Sequence, residues 1–206
     1  AHLNTPALRD LMRATLGVEW PSKVHVHGAG DRILLERDGS GERIPARSLA
    51  GASSRVAVVV DSHGAAHAWQ AISPGEHARR GDSVIAIDPY QTGAAAVPRA
   101  PLHKDHLVFH HSDDARRVQD IVTAIAWAAK SRKSVELHCD KHSGLWCRAA
   151  AAVSRVRVDL TGDGAWEPYG DADLRKLLFV PGIERAGGIA AITRLLQDGR
   201  GRTVSE

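Results

Sequence analysis

Aromatic residues are scarce, at 4% of 206 positions. Alanine and valine supply most of the apolar atoms instead, a composition that suits helices packed close on a sheet better than an aromatic-lined groove. No apolar run approaches the ~20 residues needed to span a bilayer, which excludes a helical membrane span. Charge of one sign is lacking too. The 27 basic and 24 acidic residues leave a net charge of only +3. The basic residues are scattered (Arg79-Arg80, Arg116-Arg117, Lys130 to Lys133) rather than set in a stripe, so a nucleic-acid partner is not expected. There are only two cysteines, Cys139 and Cys147. Their spacing matches no zinc pattern and no disulfide framework, and two independent free thiols are expected. The start, AHLNTPALRDL, lacks an apolar signal-peptide core. The compartment stays open, and a secreted precursor is compatible with it.

The apolar fraction of 43% is that of a globular chain, and the length suits one domain. Residues 6–16 carry Leu8, Leu11, Met12 and Leu16 at helical spacing, so residues 1–23 are expected to form a helical lead-in. Val24 to His27 and Arg32 to Glu36 alternate, and Asp38-Gly39 lies in a tight turn before a further strand. This is a hairpin signal, and Pro45 argues that the last of these strands is at an edge or ends early. Val56 to Val60 and Val84 to Ile87 are continuous apolar runs, as expected of strands buried on both faces of a parallel sheet. Helices are expected near 65–80 and after Ser112. There Asp113 and Asp114 occupy the first turn, and Val118, Ile121, Val122 and Ile125 form one stripe. Val135 to His138 and Val156 to Leu160 are read as further buried strands, with a helix over 144–153 between them. Short helical patterns fall near 171–178 and 187–197. Residues 198–206 read as a polar, frayed tail.

Strands alternating with helices from residue 55 onward predict an α/β three-layer sandwich. Its sheet is mostly parallel and is preceded by an antiparallel hairpin. The domain is placed at 24–197. Ligands in such sheets sit at the carboxyl ends of the strands, which singles out loops 61–64, 88–93, 139–144 and 161–164.

The segments IPARSL, VVVDSHG, AIDPYQTG, DDARRVQDIVTAIAWAA and GLWCRAAAA occur in an order and spacing that resemble the α/β-hydrolase family. Within it they resemble the acetylxylan-esterase-like bacterial proteins. The resemblance implies an α/β-hydrolase-like sheet and a nucleophile elbow Gly-x-Ser-x-Gly, whose small residues let strand and helix pack around a strained turn. In VELHCDKHSGLWC the small residues Cys139 and Ser143 flank Lys141. A lysine therefore stands where the family has its serine, and Ser143 is placed to begin the helix. The family sets its catalytic acid and histidine after two later strands, for which QDGRGRTVSE leaves little chain, so the sheet is expected to be truncated at its C-terminal strands. The likeness is closest to a degenerate copy of the domain without a complete triad. By the same resemblance, a partner hydrolase-like domain or a second copy would pair at the open sheet edge, and a carbohydrate or ester would be the ligand.

The alternative is a carboxylic-ester hydrolase with a displaced nucleophile. Its candidates are Ser62 or Ser143 as nucleophile and His63, His103, His110, His111 or His142 as base. Asp88, Asp163 or Asp171 would orient that base. His63 also lies in the loop that the family uses for oxyanion stabilisation by backbone N–H groups. Lys141 has no visible activating partner and reads as an exposed turn residue. His138, Asp140 and His142 are weak candidate metal ligands, since their spacing crosses a strand end and a turn. No cofactor is implied. His103, His106, His110 and His111 read as a solvated loop cluster. Trp69, Trp127 and Trp146 read as packing residues, whereas Trp166 and Tyr169 follow a carboxyl-end loop and are candidates to line a cleft.

Overall fold

The computed structural model describes residues 3–72, 77, 79–98, 110–130 and 134–203, the last five by backbone alone. In chain order they form α1 (Thr5–Leu16), β1 (Val24–Ala29), β2 (Arg32–Arg37), β3 (Arg43–Leu49), β4 (Arg55–Val60), α2 (Ala65–Ala71), β5 (Ser83–Ile87), α3 (Asp113–Lys130), β6 (Ser134–Cys139), α4 (Gly144–Val153), β7 (Val158–Thr161), α5 (Asp163–Trp166), α6 (Asp171–Leu177), α7 (Gly188–Leu195) and β8 (Gly201–Thr203). The strands build one sheet in the order β1-β2-β3-β5-β4-β6-β7-β8. The β1, β2 and β3 strands are antiparallel, and so is the β3–β5 pair. From β5 to β8 the sheet is parallel.

The continuous apolar run of β4 has a direct cause. Val56, Val58 and Val60 join the large core shared with α3 and α4, while Ala57 and Val59 pack with Ala65 and Ala68 of α2 on the opposite face. Helices therefore cover both faces of the central strands. β6 and β7 differ from expectation. One face is fully buried, while on the other Glu136, His138 and Asp159 are half-buried and Thr161 is buried. The alternation in Val-Glu-Leu-His-Cys is this pattern.

Three further expectations are corrected. Pro45 lies in an interior strand, paired with Leu34 across β2. Its carbonyl accepts from Asp88 N–H at 2.8 Å, one position beyond the Ala46–Ile87 pair that ends the β3–β5 ladder. The missing proline donor thus costs only the reciprocal bond to Asp88, one position past the last rung of the ladder. The lead-in α1 is part of the core: Met12 and Leu16 are fully buried, and Arg9 and Arg13 donate to Ala152 and Val153 carbonyls at the end of α4. The tail, read as frayed, supplies the edge strand β8, parallel to β7. No described helix is long and apolar enough to cross a membrane.

Candidate functional site

At the carboxyl edge, the loops after β4, β6 and β7 surround a cleft of about 590 Å³ on the α2 face of the sheet. Asp61, His67, His138, Asp140, Asp163 and Trp166 line it. The cleft lies where α2 ends its cover and the polar face of β6 begins.

The turn after β6 is organised by Asp140. Its carboxylate accepts from the backbone N–H groups of Ser143 (3.0 Å) and Ser62 (3.1 Å), and from the Ser62 hydroxyl (2.9 Å). Burial pushes this carboxyl up. The hydrogen bonds from Ser143 and Ser62 outweigh burial and hold it below the ordinary aspartate value. Ser143 is fully buried at the start of α4, and its hydroxyl donates to the Val60 carbonyl at 3.0 Å. It ties β4 to α4 and does not face the cleft.

Lys141 stands at the apex with its side chain 60% exposed, its Nζ 3.0 Å from Glu167 Oε1. The segment after β7 closes over this apex. The Tyr169 hydroxyl donates to the Lys141 carbonyl. Arg148 donates to the carbonyls of Ala165 (2.6 Å) and Glu167 (2.8 Å) and lies over the Tyr169 ring. Gly144 and Gly164 meet backbone to backbone, so a Cβ on Gly144 would stand 2.7 Å from the Gly164 Cα. Among the described residues the only non-glycine at positive φ is Gln91. Lys141 thus lacks the left-handed backbone that strains a nucleophile elbow.

Cys139 and Cys147 are not free thiols. They form a disulfide, with Cα atoms 6.6 Å apart, that joins the end of β6 to α4. They stand eight positions apart in sequence, but the tight turn and the first helical turn bring both side chains to one buried point.

The loop after β4 holds Asp61, Ser62 and His63. The Ser62 hydroxyl lies 3.3 Å from His63 Nδ1, and Asp61 Oδ1 lies 3.2 Å from that same nitrogen. A triad needs the hydroxyl on one ring nitrogen and the acid on the other, an arrangement these contacts do not make. The Asp61 carboxylate also accepts His63 N–H at 2.7 Å and faces His67 Nδ1 at 2.7 Å.

The other sequence candidates are dispersed. His142 is exposed, its Nδ1 3.7 Å from Asp140. Asp163 opens α5 and lines the cleft. Asp88 is buried and accepts Ala65 N–H at 2.6 Å at the start of α2, and burial pushes its carboxyl up despite the Ala65 and Ala94 amides. Asp171 is exposed in the first turn of α6. His110 and His111 are exposed, and the His111 ring covers Gly17. His103 and His106 lie outside the described residues. His138 contacts Thr161 Oγ1 at 3.3 Å through Nδ1. Trp166 is exposed on the cleft wall, whereas Tyr169 is buried beneath the segment. Arg47 lies over Trp69 and Arg117 over Trp146, both packing contacts.

His138, Asp140 and His142 do not converge. Among the described residues, the group that brings three potential metal-ligand atoms within 4.8 Å of one another is Asp61, His63 and His67. Sequence reading passed over it, although His63 and His67 stand four apart at a helix entrance, two and six residues after an aspartate.

No family model matches the chain, and no curated protein matches it. Solved structures do. An acetyl xylan esterase from Paenibacillus sp. R4 is similar with a TM-score of 0.51 at 12% identity, over 98% of this chain and 78% of that one. Acetyl xylan esterase 1 from Thermoanaerobacterium sp. JW/SL YS485 is similar with a TM-score of 0.48 at 12% identity, over 98% of this chain and 82% of that one. The fold of this chain is α/β-hydrolase-like, and at this identity the likeness extends to the fold alone.

Proposed function

We propose that this chain is an α/β-hydrolase-fold module, related in architecture to acetyl esterases, that binds a ligand in its carboxyl-edge cleft without serine acyl transfer. The observation that carries this reading is the apex after β6. A lysine occupies it, its ammonium is held by Glu167, its carbonyl takes the Tyr169 hydroxyl, and the nearest serine is buried and committed to Val60. Serine-type acyl transfer needs an accessible hydroxyl whose proton passes to an adjacent base.

The exposed Trp166 on the cleft wall supports a carbohydrate or acetylated-sugar ligand, since an indole face offers an apolar surface to a sugar ring. The Cys139–Cys147 bridge supports an oxidising compartment, as for a secreted protein. The short β8 edge suits pairing with a second hydrolase-like domain or copy.

A second reading is favoured by one contact. The half-buried Ser62 hydroxyl is bonded to Asp140 and lies beside His63, so a displaced esterase would use Ser62. Hydrolysis of p-nitrophenyl acetate separates the two. The module reading expects a rate that stays linear in substrate and is equal for the native protein and Ser62→Ala. Saturable turnover abolished by Ser62→Ala would establish the esterase instead.

A further inference from the structure

We infer that Asp61, His63 and His67 form a binding site for one divalent transition ion of the zinc class, at the mouth of the cleft. This inference is independent of whether the chain hydrolyses esters.

The donor set is two imidazoles and one carboxylate, which zinc, cobalt and nickel accept and which magnesium and calcium do not favour. Ligands of a tetrahedral zinc ion at about 2.0–2.1 Å lie roughly 3.3 Å from one another. Here Asp61 Oδ1 lies 3.2 Å from His63 Nδ1 and Asp61 Oδ2 lies 2.7 Å from His67 Nδ1, and ligand atoms of the three residues lie within 4.8 Å of one another. Rotation about their side-chain bonds is the motion by which both rings would meet one ion. Both rings are free to make it: their side chains are 68% and 55% exposed, with centroids 4.9 Å apart.

The carboxylate is fixed where the imidazoles are not. Its side chain is 7% exposed, and Oδ1 is held by the His63 backbone N–H at 2.7 Å. That leaves Oδ2, on the His67 side, as the ligand atom, with its partner oxygen oriented by an outer hydrogen bond. The loop is pinned from the other side, because Ser62 bonds Asp140 through both its N–H and its hydroxyl. Asp88 takes the Ala65 N–H at the entrance to α2, which offsets the positive end of that helix near a cation. Three protein ligands would leave a fourth position open, and Asp61 and His67 both line the cleft.

Titration of chelator-stripped protein with zinc chloride in a calorimeter tests the site. One ion per chain is expected, with affinity reduced roughly 100-fold or more in His63→Ala and in His67→Ala, and unchanged in His142→Ala. Circular dichroism checks that each variant is folded. Should a variant unfold, imidazole ¹⁵N shifts of the native protein on zinc addition replace it, and they are expected to concentrate on His63 and His67. No binding, binding undiminished in the His63→Ala/His67→Ala double variant, or imidazole shifts at other histidines would each overturn the assignment.

Discussion

Asp120 lies on the buried face of α3, 8% exposed, with its Oδ2 accepting Tyr90 N–H at 2.8 Å. Burial dominates its titration and pushes its pKa from 3.8 up to about 7, against the pull of the Tyr90 amide and of Arg37 and Arg116. The folded protein therefore holds this proton more tightly than the unfolded chain does. Between the two pKa values the native state carries a proton that the unfolded state has lost, so stability falls as pH rises. The contribution is fully present below the unfolded value and gone above the folded one. A shift of roughly three pH units at about 1.4 kcal/mol each gives a loss of about 4 kcal/mol from pH ~4 to pH ~8. Asp140 adds nothing in this window. Its folded value is depressed, so its stabilisation is lost only as pH falls below the ordinary aspartate range. Asp88 and Asp114, both raised chiefly by burial, act in the same direction as Asp120. Asp120→Asn keeps an oxygen for Tyr90 N–H and removes the ionisation. Urea unfolding of both proteins across this range should give curves that nearly coincide at the acid end and diverge with rising pH. The variant should be the more stable by about 4 kcal/mol at the alkaline end. Parallel curves would refute the reasoning, since the Asp120 carboxyl would then titrate alike in both states.

The disulfide closes a short loop, with a sequence separation of 8, for which chain entropy predicts a loss of about 2–3 kcal/mol when both cysteines become serine. Denaturant unfolding measures it, and unchanged stability would show that the bridge constrains little. Gly144→Ala places a Cβ against Gly164 and the Tyr169 hydroxyl and should cost about 1–3 kcal/mol by the same measurement. A cost under about 0.5 kcal/mol would mean that the two loops part easily. Tyr169→Phe leaves the Lys141 carbonyl without its hydroxyl donor and should cost about 1 kcal/mol. Amide hydrogen exchange should also quicken in 164–169, and unaltered exchange there would argue that the Tyr169 hydroxyl does not hold the segment down.

The parts legible in the sequence are those set by local chemistry. The Val56–Val60 run, the Ser112 cap with its acidic first turn and the Asp38-Gly39 turn each carry their own signal. Ser112 does accept Ala115 N–H, at 3.3 Å. What escaped depends on parts of the chain meeting at a distance. Pro45 suits an interior strand only because its carbonyl meets Asp88 at the end of a ladder. The cysteine pair bridges only because the turn at 140–143 folds back tightly enough to bring the two residues together. β8 is three residues long and is stabilised by pairing with β7, with no pattern of its own to announce it. At the site, Lys141 in the turn after β6 is readable, but its closure by Glu167 and Tyr169 joins loops after two different strands. The Asp61, His63 and His67 group was written in spacing but competes with ten other histidines for attention.

Under the module reading proposed above, no hydroxyl among the described residues is armed for acyl transfer. Incubation with a fluorophosphonate probe, followed by peptide mapping in a mass spectrometer, tests it most directly. Every serine peptide is expected to return at its native mass, those containing Ser62 and Ser143 included. One serine that takes the probe stoichiometrically, and loses that labelling when the protein is unfolded first, would contradict it.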